Sequence, residues 1–156
     1  MTWLRTLGLC MVTIAALVVA SPAAHADTLT CEVVEIEASS TKSPSVDAAL
    51  SDLAKKLSQM PFSAFNTFKQ AARQSRAITT GSTESFNVVH SNVDVNLKSV
   101  AAATKKKKAR TSLAVGITSG KKKWVDTSGS IDVGDFLMFA RTASSSSGII
   151  YAVGCR

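Results

Sequence analysis

Histidine is scarce in this chain, and its scarcity narrows the chemistry available. Only two histidines occur among 156 residues, and only His90 lies beyond the first 26. A structural zinc site needs four Cys or His ligands. The sequence also contains no paired-histidine motif, no glycine-flanked nucleophilic serine and no phosphate-binding glycine loop. We therefore expect no metal, no cofactor and no enzymatic activity.

A second absence is any apolar run long enough to cross a membrane as a helix. Residues 7–20 form an apolar stretch of 14 residues, whereas a bilayer core requires about 20. Arg5 precedes this stretch, Ser21-Pro22 follows it, and Ala24-His25-Ala26 supplies small residues at the correct spacing. This pattern is typical of a secretory signal peptide cleaved after Ala26, and a retained membrane anchor is the weaker alternative.

Lipoprotein processing is not expected, because neither Cys10 nor Cys31 follows the small residues of a lipid-modification site. The remaining residues, 27–156, have the size of one domain. We expect this domain to be released into a periplasm or the extracellular medium, with no transmembrane segment and no intracellular nucleic-acid partner.

Two cysteines remain in that domain. Cys31 and Cys155 lie 124 positions apart, near its two ends. Export brings them to an oxidising compartment, where an even number of cysteines favours a disulfide. A reactive thiol pair, or half of a metal site, is the alternative. We predict a Cys31–Cys155 disulfide that encloses most of the domain.

Hydrophobic periodicity predicts an α+β fold that is mainly antiparallel β-structure, a meander or sandwich. Residues 29–38 are rich in Val and Ile and predict the first strand. Apolar residues at helical spacing then predict one short amphipathic helix of about 13 residues, from residue 46 to Ser58, packed on the sheet. Further strands are predicted at 67–73, 76–80, 84–89, 93–102, 109–118, 123–131, 136–141 and 149–155.

Three aromatic residues follow the predicted helix at intervals of three. Phe62, Phe65 and Phe68 come directly after Pro61. Large aromatic side chains close together are more often part of a core than of a ligand pocket. We expect them to seat the helix on the sheet.

The order of these elements resembles a loose group of small, exported, uncharacterised bacterial proteins. The residues that carry the resemblance are Val46-Asp47-Ala48-Ala49-Leu50 and Pro61-Phe62-Ser63-Ala64-Phe65-Asn66-Thr67-Phe68-Lys69, with weaker matches at Asp126-Thr127 and Gly134-Asp135. The resemblance covers most of residues 27–156 but contains no catalytic signature. It implies an architecture and no activity.

Residues 27–156 are strongly basic. Of the 18 Lys and Arg residues only Arg5 lies outside them, so 17 cations face 11 acids, a net charge of +6. The candidate anion-binding residues form two runs: Lys105, Lys106, Lys107, Lys108 and Arg110, then Lys121, Lys122 and Lys123. They flank the predicted strand 109–118, whose ten residues span about 33 Å, several Debye lengths of about 8 Å. The two runs are therefore expected at opposite ends of the sheet, as separate anion contacts or as solvated hairpin tips.

These observations leave three hypotheses. The first is a non-catalytic binding module for anionic envelope surfaces or polymers, motivated by the charge. The alternative is a protein-partner module, such as an inhibitor or an envelope-assembly subunit, that uses Phe62 and Phe65. The third is a hydrolase using His90, with Ser91 and Asp94 close in sequence, although those residues are also typical of a polar turn.

Overall fold

The computed structural model describes residues 27–156, and these residues form two β-sheets packed face to face. The predicted signal peptide lies outside the described residues. The strands are β1 (Thr28–Ser39), β2 (Ser45–Val46), β3 (Thr67–Thr79), β4 (Thr83–Asn87), β5 (Asn92–Ala101), β6 (Arg110–Ser119), β7 (Lys122–Asp132), β8 (Phe136–Ser144) and β9 (Ser147–Cys155). Between residues 27 and 156, no helix is long and apolar enough to cross a membrane.

The first sheet has five strands in the order β2-β3-β1-β9-β8, and the second has four in the order β4-β5-β6-β7. Within the described residues, every pairing of these strands is antiparallel except that of β2 with β3. The prediction of mainly antiparallel β-structure is therefore confirmed. The two strands predicted at 67–73 and 76–80 are a single strand, β3.

The two middle strands of the five-stranded sheet, β1 and β9, are buried on both faces. On β1, Cys31 and Val33 point into the core between the sheets, whereas Val34 and Ile36 point to the opposite face. That opposite face is covered by residues 48–64, which we call the helical segment. A strand buried on both faces has a nearly continuous apolar sequence, which explains the run of Val and Ile in β1.

The helical segment differs from the predicted 13-residue helix. It contains a 3₁₀ turn at Ala48–Leu50, the single α-helical turn α1 at Ala54–Leu57 and a second 3₁₀ turn at Phe62–Ala64. The predicted start is extended, because the backbone N–H of Asp47 donates to the Phe68 carbonyl of β3 at 2.9 Å. The predicted apolar face still meets the sheet, through Leu50, Leu53 and Leu57, all buried.

Two of the three clustered phenylalanines lie where the sequence predicts them. Phe65 and Phe68 are buried in the core between the helical segment and the sheet. Phe62 packs against the edge of that core and remains partly exposed. The cluster therefore seats the helical segment, and Phe62 alone borders the surface.

Arg73 on β3 ties the helical segment to the sheet. Its guanidinium donates to Glu32 Oε1 at 3.2 Å, to Asp52 Oδ1 at 3.0 Å and to the Ala49 carbonyl at 3.2 Å. The hydrogen bond from Arg73 lowers the pKa of Asp52, and partial burial opposes that shift. One cation thus joins a buried carboxylate of β1 to the helical segment.

The predicted disulfide is present. Cys31 on β1 and Cys155 on β9 are directly opposite one another, with their Cα atoms 3.9 Å apart. The bond joins the first and last strands of the domain. We call this end of the sandwich the disulfide end, and the opposite one, where the turn containing His90 lies, the His90 end.

Gly154 lies where two stretches of backbone pass close together. A Cβ atom at this position would clash with the carbonyl oxygen of Asp135. Gly154→Ala is expected to lower the free energy of unfolding by about 1–3 kcal/mol, because backbone must shift to make room. Urea denaturation measures the loss. Gly129→Ala is the control, because its Cβ would only meet Leu137 methyl groups at 3.5 Å; equal losses would contradict the close approach.

Candidate functional site

A buried carboxylate marks the His90 end of the sandwich. Glu35 lies on the face of β1 that points between the sheets, and its side chain is 0% exposed. Its carboxylate accepts hydrogen bonds from the backbone N–H of His90 at 3.1 and 3.3 Å and contacts the imidazole Nδ1. The charge is buried but hydrogen-bonded, as a buried charge must be. The pair fixes the position of the turn between β4 and β5.

Tyr151 extends this polar network across the sheet. It lies directly opposite Glu35 on β9, and its hydroxyl is 2.7 Å from Ser91 Oγ. Burial raises the pKa of Tyr151; the Ser91 hydrogen bond opposes the shift, and the charge of Glu35 adds to it. Ser119 Oγ also donates to the His90 carbonyl at 3.0 Å. Hydrogen bonds thus connect both sheets to the His90 turn at this end.

The structure does not assemble the three residues of the hydrolase hypothesis. His90 contacts Glu35, Ser91 bonds to Tyr151, and Asp94 accepts hydrogen bonds from Ser85 and Asn92. A nucleophile and its base must lie within hydrogen-bonding reach of each other. Ser91 and Asp94 therefore have structural partners other than the imidazole.

A β-bulge turns Trp124 towards this network. Thr118 pairs with Lys123 and Ile117 with Val125, so Trp124 is the extra residue of β7. Its ring packs against Tyr151 with the centroids 5.6 Å apart. The indole Nε1 is buried and has no hydrogen-bond partner among residues 27–156. Bulges often redirect a side chain next to a functional site, and here the bulge leaves a buried donor unused.

Trp124 is part of a small cavity, which we call the Trp124 cleft. Its lining residues are Ser119, Lys122, Trp124 and Arg141, and its volume is about 100 Å³. One water needs only about 10–15 Å³ of such space. Arg141 lies on the face of β8 that carries the inter-sheet residues Leu137 and Phe139, whereas Lys122 begins β7 in the other sheet. Two cations from opposite sheets thus meet at a cavity with no acidic lining residue in the described chain.

The two lysine runs lie at opposite ends of the sandwich. Lys105–Lys108, which we call the lysine turn, lies between β5 and β6 at the disulfide end, where Thr104 and Lys107 exchange backbone hydrogen bonds of 2.9 and 3.3 Å. Lys121 and Lys122 begin the other run, at the start of β7. The lysines of both runs are exposed.

The candidate cations have different partners in the structure. Lys122 lines the Trp124 cleft. Lys123 instead lies over Gly116 on the outer face and pairs with Asp126 at 2.9 Å. Arg110 lies 3.6 Å from Asp132 at the disulfide end. Lys106, Lys107, Lys108 and Arg110 border a larger cavity of about 400 Å³, which the acidic residue Asp132 also lines. Lys122 instead borders its cavity together with a cation from the other sheet.

Arg141 and Trp124 are not among the site residues that the sequence predicts. Arg141 continues the alternation of Leu137 and Phe139, a signal that could have placed it on the inner face of the sheet. The bulge that turns Trp124 inward has no signature in the sequence. No protein-family model matches the chain, and no curated protein or solved structure matches it. We therefore infer what the cleft can bind from the charges and hydrogen-bond donors of its lining residues.

Proposed function

We propose that this protein is a non-catalytic module that binds an anionic group of a polymer or surface in the Trp124 cleft. The observation that carries this proposal is the convergence of Lys122 and Arg141, from opposite sheets, on a cavity that Trp124 also lines. Guanidinium and ammonium groups are the usual partners of phosphate and carboxylate oxygens.

The energetics of the cleft support an anionic occupant. Two cations facing one cavity repel each other, since like charges interact unfavourably at short range. An anion that lies between Lys122 and Arg141 removes this repulsion.

The hydrogen bonds around the cleft support binding without large rearrangement. Ser119 is bonded to the His90 carbonyl, and Tyr151, on which Trp124 packs, is bonded to Ser91. A site held by such contacts loses less conformational entropy on binding. If residues 1–26 are a signal peptide, the module acts outside the cytoplasm, where anionic envelope polymers are found.

The salt dependence of retention on phosphocellulose tests this function. Lys122→Gln/Arg141→Gln is expected to lower the slope of log affinity against log salt by about 0.7–0.9 for each phosphate that the variant no longer neutralises. Lys55→Gln/Lys69→Gln is the matched control: it removes two exposed charges that do not line the Trp124 cleft. Equal reductions of the slope in the two double variants would show that Lys122 and Arg141 act only as exposed surface charges, and would contradict the proposal.

The lysine turn gives a separate prediction. Changing Lys105–Lys108 together to glutamine is expected to alter the free energy of unfolding by less than about 1 kcal/mol, since exposed charges contribute little to stability. Thermal denaturation checks this. Severe unfolding would show that the turn has a structural role that its exposure does not indicate.

A further inference from the structure

The outer edge of β8 carries unused backbone groups. In an antiparallel sheet, the N–H and C=O groups of successive residues point to alternate sides of the strand. Every second residue therefore bonds to the same neighbouring strand. Thr30 and Arg156 exchange backbone hydrogen bonds of 2.8 and 2.9 Å, so the even-numbered residues of β9 bond to β1. Its odd-numbered residues, which pair with Leu137 and Phe139, bond to β8. The N–H and C=O groups of Met138 and Ala140 then point away from the sheet, where the described chain offers no neighbouring strand.

An apolar groove runs along this edge. It has a volume of about 470 Å³ and lies between β8 and the helical segment. Met60 and Phe62 form one wall, and Met138 and Ala140 form the other. Met60 is 81% exposed. An exposed edge strand beside apolar side chains is a template for pairing with another strand.

Residues 135–141, which are Asp135 and the first six residues of β8, are complementary to themselves when reversed. Asp135 and Arg141 are equally distant from Met138, and the residues between them are Phe136-Leu137-Met138-Phe139-Ala140. In an antiparallel pair of two such strands centred on Met138, each Asp135 lies opposite an Arg141 on the same face of the sheet. Opposite charges directly across a ladder stabilise it, and like charges destabilise it.

We propose that two copies of this chain pair through β8 about a two-fold axis at Met138. The Met138 residues exchange both backbone hydrogen bonds, and Phe136 of each copy lies opposite Ala140 of the other. The two five-stranded sheets become one continuous sheet, and the groove of each copy receives apolar side chains from the second copy. Closed two-fold pairs are the most frequent form of self-association.

One local rearrangement accompanies this pairing. Asp135 now bonds Lys56 Nζ at 2.7 Å and the Phe136 N–H at 2.9 Å, and Lys56 also donates to the Phe136 carbonyl at 3.1 Å. When Asp135 turns to Arg141 of the second copy, the Phe136 N–H becomes available to that copy. The carbonyl has two lone pairs, so it can keep Lys56 and accept a second donor.

The pairing also brings the two basic regions together. In one copy the lysine turn and the Trp124 cleft lie at opposite ends of the sandwich. The antiparallel arrangement puts the disulfide end of one copy beside the His90 end of the other, so each end of the pair carries one lysine turn and one cleft. This consequence rests on the proposed function, whereas the pairing itself does not.

Sedimentation equilibrium of the purified protein without added polyanion tests the pairing. The wild type is expected to approach the mass of two copies as its concentration rises towards about 1 mM, the weak end of specific association. Ala140→Pro is expected to keep the mass of one copy, because it removes an outward N–H that no strand of the described chain uses. Ala140→Gly, which keeps this N–H, is the matched control and is expected to pair as the wild type does.

Exchanging the charges of residues 135 and 141 tests the register of the pairing, independently of any effect that proline has on folding. Arg141→Asp is expected to weaken the pairing at least tenfold, because two carboxylates then face each other at each end. Adding Asp135→Arg in the same chain is expected to restore it. A wild type that keeps the mass of one copy at about 1 mM, or a pair that the charge exchange leaves unchanged, would overturn the proposal. Because Arg141 also lines the Trp124 cleft, retention on phosphocellulose is measured with Ala140→Pro, which changes no charge; failure of pairing and failure of anion binding are then distinguishable.

Discussion

Replacing Cys31 and Cys155 together by alanine is expected to lower the free energy of unfolding by about 2–5 kcal/mol. The disulfide closes a loop of 124 positions, and a cross-link over so long a loop strongly restricts the unfolded chain. It also joins β1 and β9, the neighbouring strands that contribute side chains to both cores. Urea denaturation of the variant beside the wild type measures the loss.

Reduction provides the control for this prediction. Wild type treated with dithiothreitol is expected to unfold at the urea concentration of the double alanine variant, because both lack the same cross-link. The single replacements Cys31→Ala and Cys155→Ala are expected to match the double one. A double variant as stable as the oxidised wild type would contradict the role given to the disulfide.

Arg73→Met is expected to lower the free energy of unfolding by about 3 kcal/mol. It leaves the Glu32 carboxylate, whose side chain is 5% exposed, with only Arg156 at 3.6 Å among the described residues. Removing one partner of a buried ion pair leaves an uncompensated charge, which costs more than the pair contributed. Arg76→Met is the matched control: Arg76 and Glu84 form an exposed pair, so its loss should stay below about 1 kcal/mol.

The same variant has a predicted pH dependence. The pKa of Asp52 is lowered in the fold by its hydrogen bond to Arg73. This contribution to stability is present above the unfolded pKa of about 3.9 and is lost as the pH falls through the lower folded value. The difference in stability between wild type and Arg73→Met is therefore expected to shrink below about pH 4. Adding Glu32→Gln to Arg73→Met should recover part of the loss at neutral pH.

Most of the strands can be predicted from the sequence because alternation of apolar and polar residues directly reflects a half-buried strand. The predicted strands 93–102 and 109–118 lie within one residue of β5 and β6. The predicted helix is too long. The spacing of its apolar residues shows which side chains face the sheet, but it does not show which backbone groups bond to another strand. Residue 46 and its neighbours pair with β3 instead, a tertiary contact that local sequence does not encode.

The candidate site is only partly predictable. The charge of Lys122 is visible in the sequence, and the expected separation of the two lysine runs follows from strand length alone. The partner of Lys122 is not visible, because Arg141 comes from another sheet and meets it only through sheet packing. The burial of Glu35 has no signal either, since β1 also carries Glu32 and Glu37 and nothing in the sequence marks Glu35 as fully buried.

Tryptophan fluorescence tests the proposed anion site most directly. The chain has two tryptophans, Trp3 and Trp124, so a Trp3→Phe chain, or one that has lost residues 1–26, reports on the cleft alone. Titration with inorganic polyphosphate is expected to give a saturable change in Trp124 emission that weakens with salt, disappears in Lys122→Gln/Arg141→Gln and persists in Lys55→Gln/Lys69→Gln. Emission that does not respond to polyphosphate at low salt, or that responds equally in both double variants, would contradict anion binding in the Trp124 cleft.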